Sequence, residues 1–315
     1  MTDYSRLIDA ETWAFIERTN SFYAVDAVDH SVAEQRRTYD RMAEAFHAAY
    51  PEDVTAETSA LQAGGHAIPL RRYHRRNPDG AAVVVYFHGG GFVVGGLESH
   101  DDVCAEICAH TGFDVVSVDY RLLPEHPHPA AFDDCLAAFR HVAAEGVEGV
   151  PVVLCGDSAG GNLAAAVSAV TRDDARPPVA QVLIYPGLGG NIDAGSYLTH
   201  AEAPLLRRDE LVYYEKTRSG GRDLSRDVTS KPLADTDFSR LPPTAIFSAE
   251  CDPLCDDGRD YRDRLVAAGV PAIWEVDAGL VHGWLRARHS VARARAGFAR
   301  ILAAIDRLGH GGTPG

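Results

Sequence analysis

Short apolar runs recur along this chain at 66–75, 82–87, 113–119, 151–155, 179–185, 243–248 and 272–276. Between them the spacing of apolar positions turns helical, at 98–111, 130–145, 159–171, 257–268 and 285–307. Runs too short for helices, alternating with helical stretches, predict an α/β fold: a mostly parallel central sheet with helices on both faces. Two segments break the alternation. Residues 1–55 carry helical patterns, including 10–19 and 31–49, before any strand, and residues 187–240 replace the short connection expected after the strand at 179–185. The second excursion has helical signals near 207–217 and a polar Gly/Arg/Asp stretch at 219–227. Long excursions at the C-terminal edge of a parallel sheet usually cover a site, so both segments are read as a helical cap, against the alternative of a packing appendage and a surface loop. The expected division is 1–55 cap helices, 56–186 first part of the core, 187–240 cap insertion and 241–315 second part of the core.

The chemistry gathers at predicted strand ends. Gly156-Asp157-Ser158-Ala159-Gly160 lies between an apolar run and a helix-prone stretch, so it reads as strand, sharp turn and helix with Ser158 at the apex. Such a turn strains the serine backbone and leaves no room for side chains two positions away. Upstream, His88-Gly89-Gly90-Gly91 follows another strand and offers bare N–H groups which, with the amide of Ala159, could hold an oxyanion. A serine nucleophile needs a base and an orienting carboxylate later in the chain. His282, in the final strand-to-helix loop, alone among the 14 histidines has that place in chain order. Asp252, ahead of Pro253, and Glu250 are rival candidates for the acid.

These motifs resemble those of the hormone-sensitive-lipase-like family of α/β-hydrolases, the microbial carboxylesterases with a cap. The resemblance runs over about residues 60 to 305. It is carried by His88-Gly89-Gly90-Gly91-Phe92, the stretch from Asp119 to Ala130, Gly156 to Asn162, Ala249-Glu250-Cys251-Asp252-Pro253-Leu254 and His282-Gly283. It implies the α/β-hydrolase fold, Ser158 as nucleophile, Asp252 as acid, His282 as base, and Gly89, Gly90 and Ala159 as oxyanion donors. It further implies a serine carboxylesterase acting through an acyl-enzyme, with a small-molecule ester as its partner and no cofactor. Two positions depart: Trp284 stands where the family has Phe, and Cys255 replaces a usual Arg or polar residue. Phe92, Tyr185 and Trp284 fall beside the expected triad or oxyanion loop, and such rings would shorten an acyl channel, so short-chain esters are expected. The same triad could serve amide deacetylation, lactone opening or elimination. A receptor of this fold lacks the catalytic histidine, which His282 argues against.

Other matched residues have structural readings. Arg121 and Glu125 are expected to form a buried pair, since charges near a core persist when paired. His88 is expected to pin the glycine loop, and Asp157 to tie down the turn. A net charge of −15, from 45 acidic and 30 basic residues, disfavours nucleic acid and anionic membranes as partners. No signal-peptide pattern or membrane-length apolar run is evident, so a cytoplasmic protein with six reduced cysteines is expected. Cys104 and Cys108, and Cys251 and Cys255, lack the spacing of a zinc site, so no metal is expected. A homodimer is compatible with these readings.

Overall fold

The computed structural model describes residues 2–23, 31–145 and 150–315; the parts of the N-terminal helical expectation on Met1 and residues 24–30 lie outside them. Among the described residues the strands are β1 (Val54–Ala63), β2 (His66–Arg75), β3 (Val83–Phe87), β4 (Asp114–Val118), β5 (Val152–Asp157), β6 (Ala180–Ile184), β7 (Thr244–Cys251) and β8 (Ala272–Val281). They form one sheet in the order β1-β2-β4-β3-β5-β6-β7-β8. β1, β2 and β4 pair antiparallel, and every later neighbour is parallel. The helices are α1 (Ala10–Asn20), α2 (Val32–Phe46), α3 (Asp101–Thr111), α4 (Ala130–Glu145), α5 (Ala159–Thr171), α6 (Ser196–Thr199), α7 (Arg208–Ser219), α8 (Cys255–Ala267) and α9 (Ala292–Gly309).

The central strands are apolar at consecutive positions because both of their faces are covered. Val84 and Tyr86 of β3 point into one core with α3 and α9, whereas Val85 and Phe87 point into the other with α4, α5 and α8. Period-two alternation of the backbone thus splits one apolar run between two layers. No helix among the described residues is long and apolar enough to cross a membrane.

β1 departs from the sequence expectation, which has no strand before 66. Its residues, Val-Thr-Ala-Glu-Thr-Ser-Ala-Leu-Gln-Ala, are mostly exposed because it is an edge strand, so no clear apolar alternation marks it. Gly64 and Gly65, both at positive φ, close the two-residue hairpin into β2. That Gly-Gly pair is the one local signal that could have revealed it. β8 runs past residue 276 to Val281, also along an edge.

The N-terminal helices belong partly to the core. Asp9 caps α1, which sends Phe15 and Ile16 into the core shared with α3 and α9. A capping box between Ser31 and Glu34 starts α2. The excursion between β6 and β7 has its own small cluster, Tyr197 and Leu206 against Leu254. Asp257, buried on α8, fastens its start by accepting from the amides of Leu188 (2.6 Å) and Gly190 (3.3 Å) and the hydroxyl of Tyr197 (3.1 Å).

Burial pushes the Asp257 carboxyl up to about 7, against the lowering effect of those donors. An unfolded aspartate ionises near pH 4, roughly. Between those values the native state keeps a proton that the unfolded state releases, so this contribution to stability is full below about pH 4 and is lost as pH rises towards 7. Asp277, also raised by burial, to about 6, adds to the same slope. Asp257→Asn, which removes one ionisation while keeping an acceptor, is expected to flatten the fall of unfolding free energy across this range in urea titrations. An unchanged slope would contradict the assignment.

Candidate active site

β5 ends and α5 begins around a single residue, Ser158, at φ 52° and ψ −115°. Its amide donates to the carbonyl of Ile184 at 2.8 Å, and its carbonyl accepts from Asn162 at 3.1 Å. Side chains are excluded on both flanks: a Cβ at Gly156 would come within 2.7 Å of the Phe87 carbonyl, and one at Gly160 would overlap that oxygen. The hydroxyl therefore stands at the sheet's C-terminal edge, above the first turn of α5. His282 follows directly after β8, and its Nε2 lies 2.8 Å from Ser158 Oγ. Its Nδ1 lies 2.7 Å from Asp252 Oδ2. Asp252 is fully buried in the loop after β7, and its Oδ1 also accepts from the Leu254 amide at 2.9 Å. Glu250 instead accepts from the Gly279 amide at 2.7 Å, so of the two rival acids only Asp252 reaches the histidine.

The glycine loop after β3 divides its amides between two tasks. Gly89 donates to Asp157 Oδ1 at 2.9 Å and is not free to meet a ligand, which corrects the expectation that it is an oxyanion donor. Gly90 and Gly91, both at positive φ, line the cavity above Ser158, and their amides and that of Ala159 meet no acceptor among the described residues. Gly91 was missed because three consecutive glycines carry no mark of which amides turn outward.

Asp157 is the strut beneath this loop. Its Oδ1 also accepts from the Tyr86 hydroxyl at 2.8 Å, and its Oδ2 lies 3.3 Å from His100 Nε2. Burial opposes its charge, but His100, Tyr86 and Arg286 outweigh that and hold the carboxyl well below the usual range. His88 pins the loop as expected, giving Nδ1–H to the Gly89 carbonyl at 2.8 Å and stacking on Tyr120. Burial and the nearby His100 push its pKa down to about 3, so the ring is neutral.

A cavity of about 820 Å³ opens over Ser158. Its walls come from α1 and α2 (Phe15, Tyr39, Met42), from the excursion before β7 (Leu205, Leu206, Tyr214) and from the loops carrying Ser158 and His282. Phe92 lines it with the Arg218 guanidinium 3.8 Å from its ring centroid. Tyr185 lines it edge-on to His282. Trp284 does not: fully buried, it packs in the notch left by Gly297 of α9, beneath Tyr185, and faces the core. The expectation that its ring bounds the pocket is thereby corrected. Among the described residues no cluster of His, Cys, Asp or Glu is grouped to hold a metal ion.

The model of a family described as alpha/beta hydrolase fold matches residues 84–286, from β3 to just past His282. The chain belongs to the α/β-hydrolase family. It is 41% identical over 241 residues to carboxylesterase NlhH of Mycobacterium tuberculosis, covering 74% of this chain and 75% of that protein. It is 31% identical to an ethyl acetate hydrolase of Pseudomonas putida, over 81% and 83% of the two chains. In three dimensions it is similar to an esterase from the bacterial hormone-sensitive lipase family, with a TM-score of 0.85 and 27% identity over 98% of this chain and 99% of that one. The enzyme is a carboxylic ester hydrolase of the hormone-sensitive-lipase-like group.

In this hydrolase Arg121 and Glu125 do not pair with each other. Arg121 forks onto Asp134 at 2.8 Å, and the exposed Glu125 takes Arg36 of α2 at 2.6 Å. Arg36 also donates to the carbonyls of Val93 (2.9 Å) and Leu123 (2.7 Å), tying α2 to the end of the glycine loop. His100, Tyr86 and Arg36 had no motif around them and became legible only once the strands were assembled. The Asp157 strut has a measurable consequence. Asp157→Asn removes the charge that faces His100 and Arg286, and kcat is expected to fall on the order of tenfold to a hundredfold as the glycine loop loosens. A stopped assay giving kcat within twofold of the natural enzyme would contradict it.

Proposed function

We propose that this hydrolase cleaves small carboxylic esters through a Ser158–His282–Asp252 triad and an acyl-enzyme. The observation that supports this best is the unbroken hydrogen-bonded chain from Asp252 through His282 to Ser158, ending beside three uncommitted amides in the cavity. Ser158 Oγ attacks the ester carbonyl carbon while His282 Nε2 takes its proton. The carbonyl oxygen, now negative, receives the amides of Gly90, Gly91 and Ala159, the last at the positive end of α5. Asp252 keeps the proton on Nδ1 and stabilises the imidazolium. The tetrahedral species collapses, the C–O bond to the alcohol breaks, and His282 returns its proton to the leaving oxygen. Water then adds to the acyl-enzyme by the same route, its proton passing through His282 back to Ser158 as the carboxylic acid leaves.

Helices α1 and α2 and residues 187–240 act in this reading as a cap that limits water and sets which esters enter. Phe92 and Tyr185 bound the reacting centre. The rings of Tyr39 and Tyr214 crowd the same walls, which favours short acyl groups over lipid chains. Lactonase, deacetylase or eliminase roles would use the same triad, and nothing in the cavity favours them over ester cleavage.

Ser158→Ala is expected to keep its melting temperature and to lose kcat on p-nitrophenyl acetate by several orders of magnitude, leaving only binding and oxyanion effects. Retained turnover in the purified variant would refute the triad. In a p-nitrophenyl ester series, kcat/KM is expected to peak between acetate and hexanoate; a steady rise to palmitate would refute the short-chain reading.

A further inference from the structure

Arginines that line the cavity are neutralised by carboxylates with one exception. Arg207 lies within 3.4 Å of Asp209 and 3.6 Å of Glu210. Arg288 places Nη2 2.6 Å from both Asp102 and Glu106. Arg286 also lines the cavity, four residues after His282, and no carboxylate lies within ion-pairing distance of it among the described residues. Its guanidinium lies 4.6 Å from the Tyr39 ring centroid and gives Nη1 to the Ser99 carbonyl at 3.2 Å. Of its five N–H groups, the Ser99 carbonyl and the Tyr39 side chain engage two, and the rest of the fork meets no acceptor among the described residues; a guanidinium fork matches a carboxylate in geometry as well as charge.

Burial opposes the charge on Arg286, and Tyr39 first and then Asp157 outweigh it. Yet the oxygens of Asp157 are committed to Gly89, Tyr86 and His100. Of the other acids on the walls, Asp102 pairs with Arg288, and Glu202, Asp209 and Glu210 belong to the excursion before β7; Glu202 and Asp209 are exposed, where solvent and salt screen them. A half-buried cation held by a ring on α2 and a backbone carbonyl, in the wall of the cavity that opens over Ser158, is built to receive an anion from the cavity side.

We propose that Arg286 binds a carboxylate carried by the substrate, so that the preferred esters bear a second, anionic group a few bonds from the scissile carbonyl. This rests on the esterase reading above. The carboxylate can sit on the acyl or the alcohol side, and two matched pairs separate these: methyl hydrogen glutarate against methyl pentanoate, and 4-acetoxybutanoate against butyl acetate, followed by pH-stat at pH 8.

In the natural enzyme kcat/KM for at least one anionic ester is expected to exceed that of its neutral partner by about tenfold or more, the scale of a charge-assisted bidentate contact. Arg286→Gln is expected to cut that ratio by about tenfold and Arg286→Lys to leave an intermediate value, since a lysine keeps the charge and loses the fork. The ratio isolates recognition, because a merely structural role, through Tyr39 or Asp157, would lower both members of a pair alike. Neutral esters favoured in both pairs, or an anionic preference that survives Arg286→Gln, would overturn the proposal and leave the esterase reading standing. No turnover of any of the four esters would overturn both.

Discussion

Steric exclusion around one serine organises this protein. The chain passes from β5 to α5 through Ser158 alone, in a backbone conformation that an L-residue rarely takes, with the Phe87 carbonyl of β3 pressed against the turn. Glycine at 156 and 160 is the condition for that approach, and the parallel pairing of β5 with β3 and β6 supplies the rigidity that holds it. Strain of this kind costs on the order of 1–3 kcal/mol and persists only where the surroundings over-determine it. The return is a hydroxyl that projects from the sheet edge at a fixed height, which β7 and β8 then meet with Asp252 and His282.

Electrostatics carries the constraint outward from the turn. A buried carboxylate costs several kcal/mol, roughly, unless partners compensate it. Asp157 finds those partners in Tyr86, the Gly89 amide and His100, so the residue next to Ser158 also sets the glycine loop. One glycine amide is spent as a strut, and the following two are left to face the cavity. Arg36 brings α2 into the same loop, while Arg218 brings in the excursion before β7 by stacking on Phe92 and donating to Asn162 of α5. Burial holds Arg218 down to about 10, and it remains a cation at neutral pH. Both wall-forming segments are thus wired to the glycine loop and to α5 rather than laid loosely over them.

Much of this was legible in the chain because short-range sterics and strand periodicity write themselves locally. The parallel strands, the serine turn and the late histidine each sit in a stretch whose own residues demand that conformation. What escaped was decided by partners distant in sequence. Edge strand β1 buries too little to show a pattern, and only Gly64-Gly65 hinted at it. Which of Gly89, Gly90 and Gly91 turns inward depends on Asp157, sixty-odd residues away. Trp284 reads as a pocket residue from its place beside His282, but Gly297 on α9 opens a notch that draws it into the core. Arg121 and Glu125 are neighbours in a motif and yet serve different elements, Asp134 and Arg36.

In the proposed mechanism Ser158 Oγ carries the acyl group of the covalent intermediate. Treating the intact protein with a p-nitrophenyl alkylphosphonate and mapping the product by tandem mass spectrometry tests this assignment. The expected product carries one phosphonyl group per chain, on the peptide that holds Ser158, with release of one equivalent of p-nitrophenol and loss of esterase activity in step. A stoichiometric adduct on any other residue, or full activity after Ser158 is modified, would contradict it.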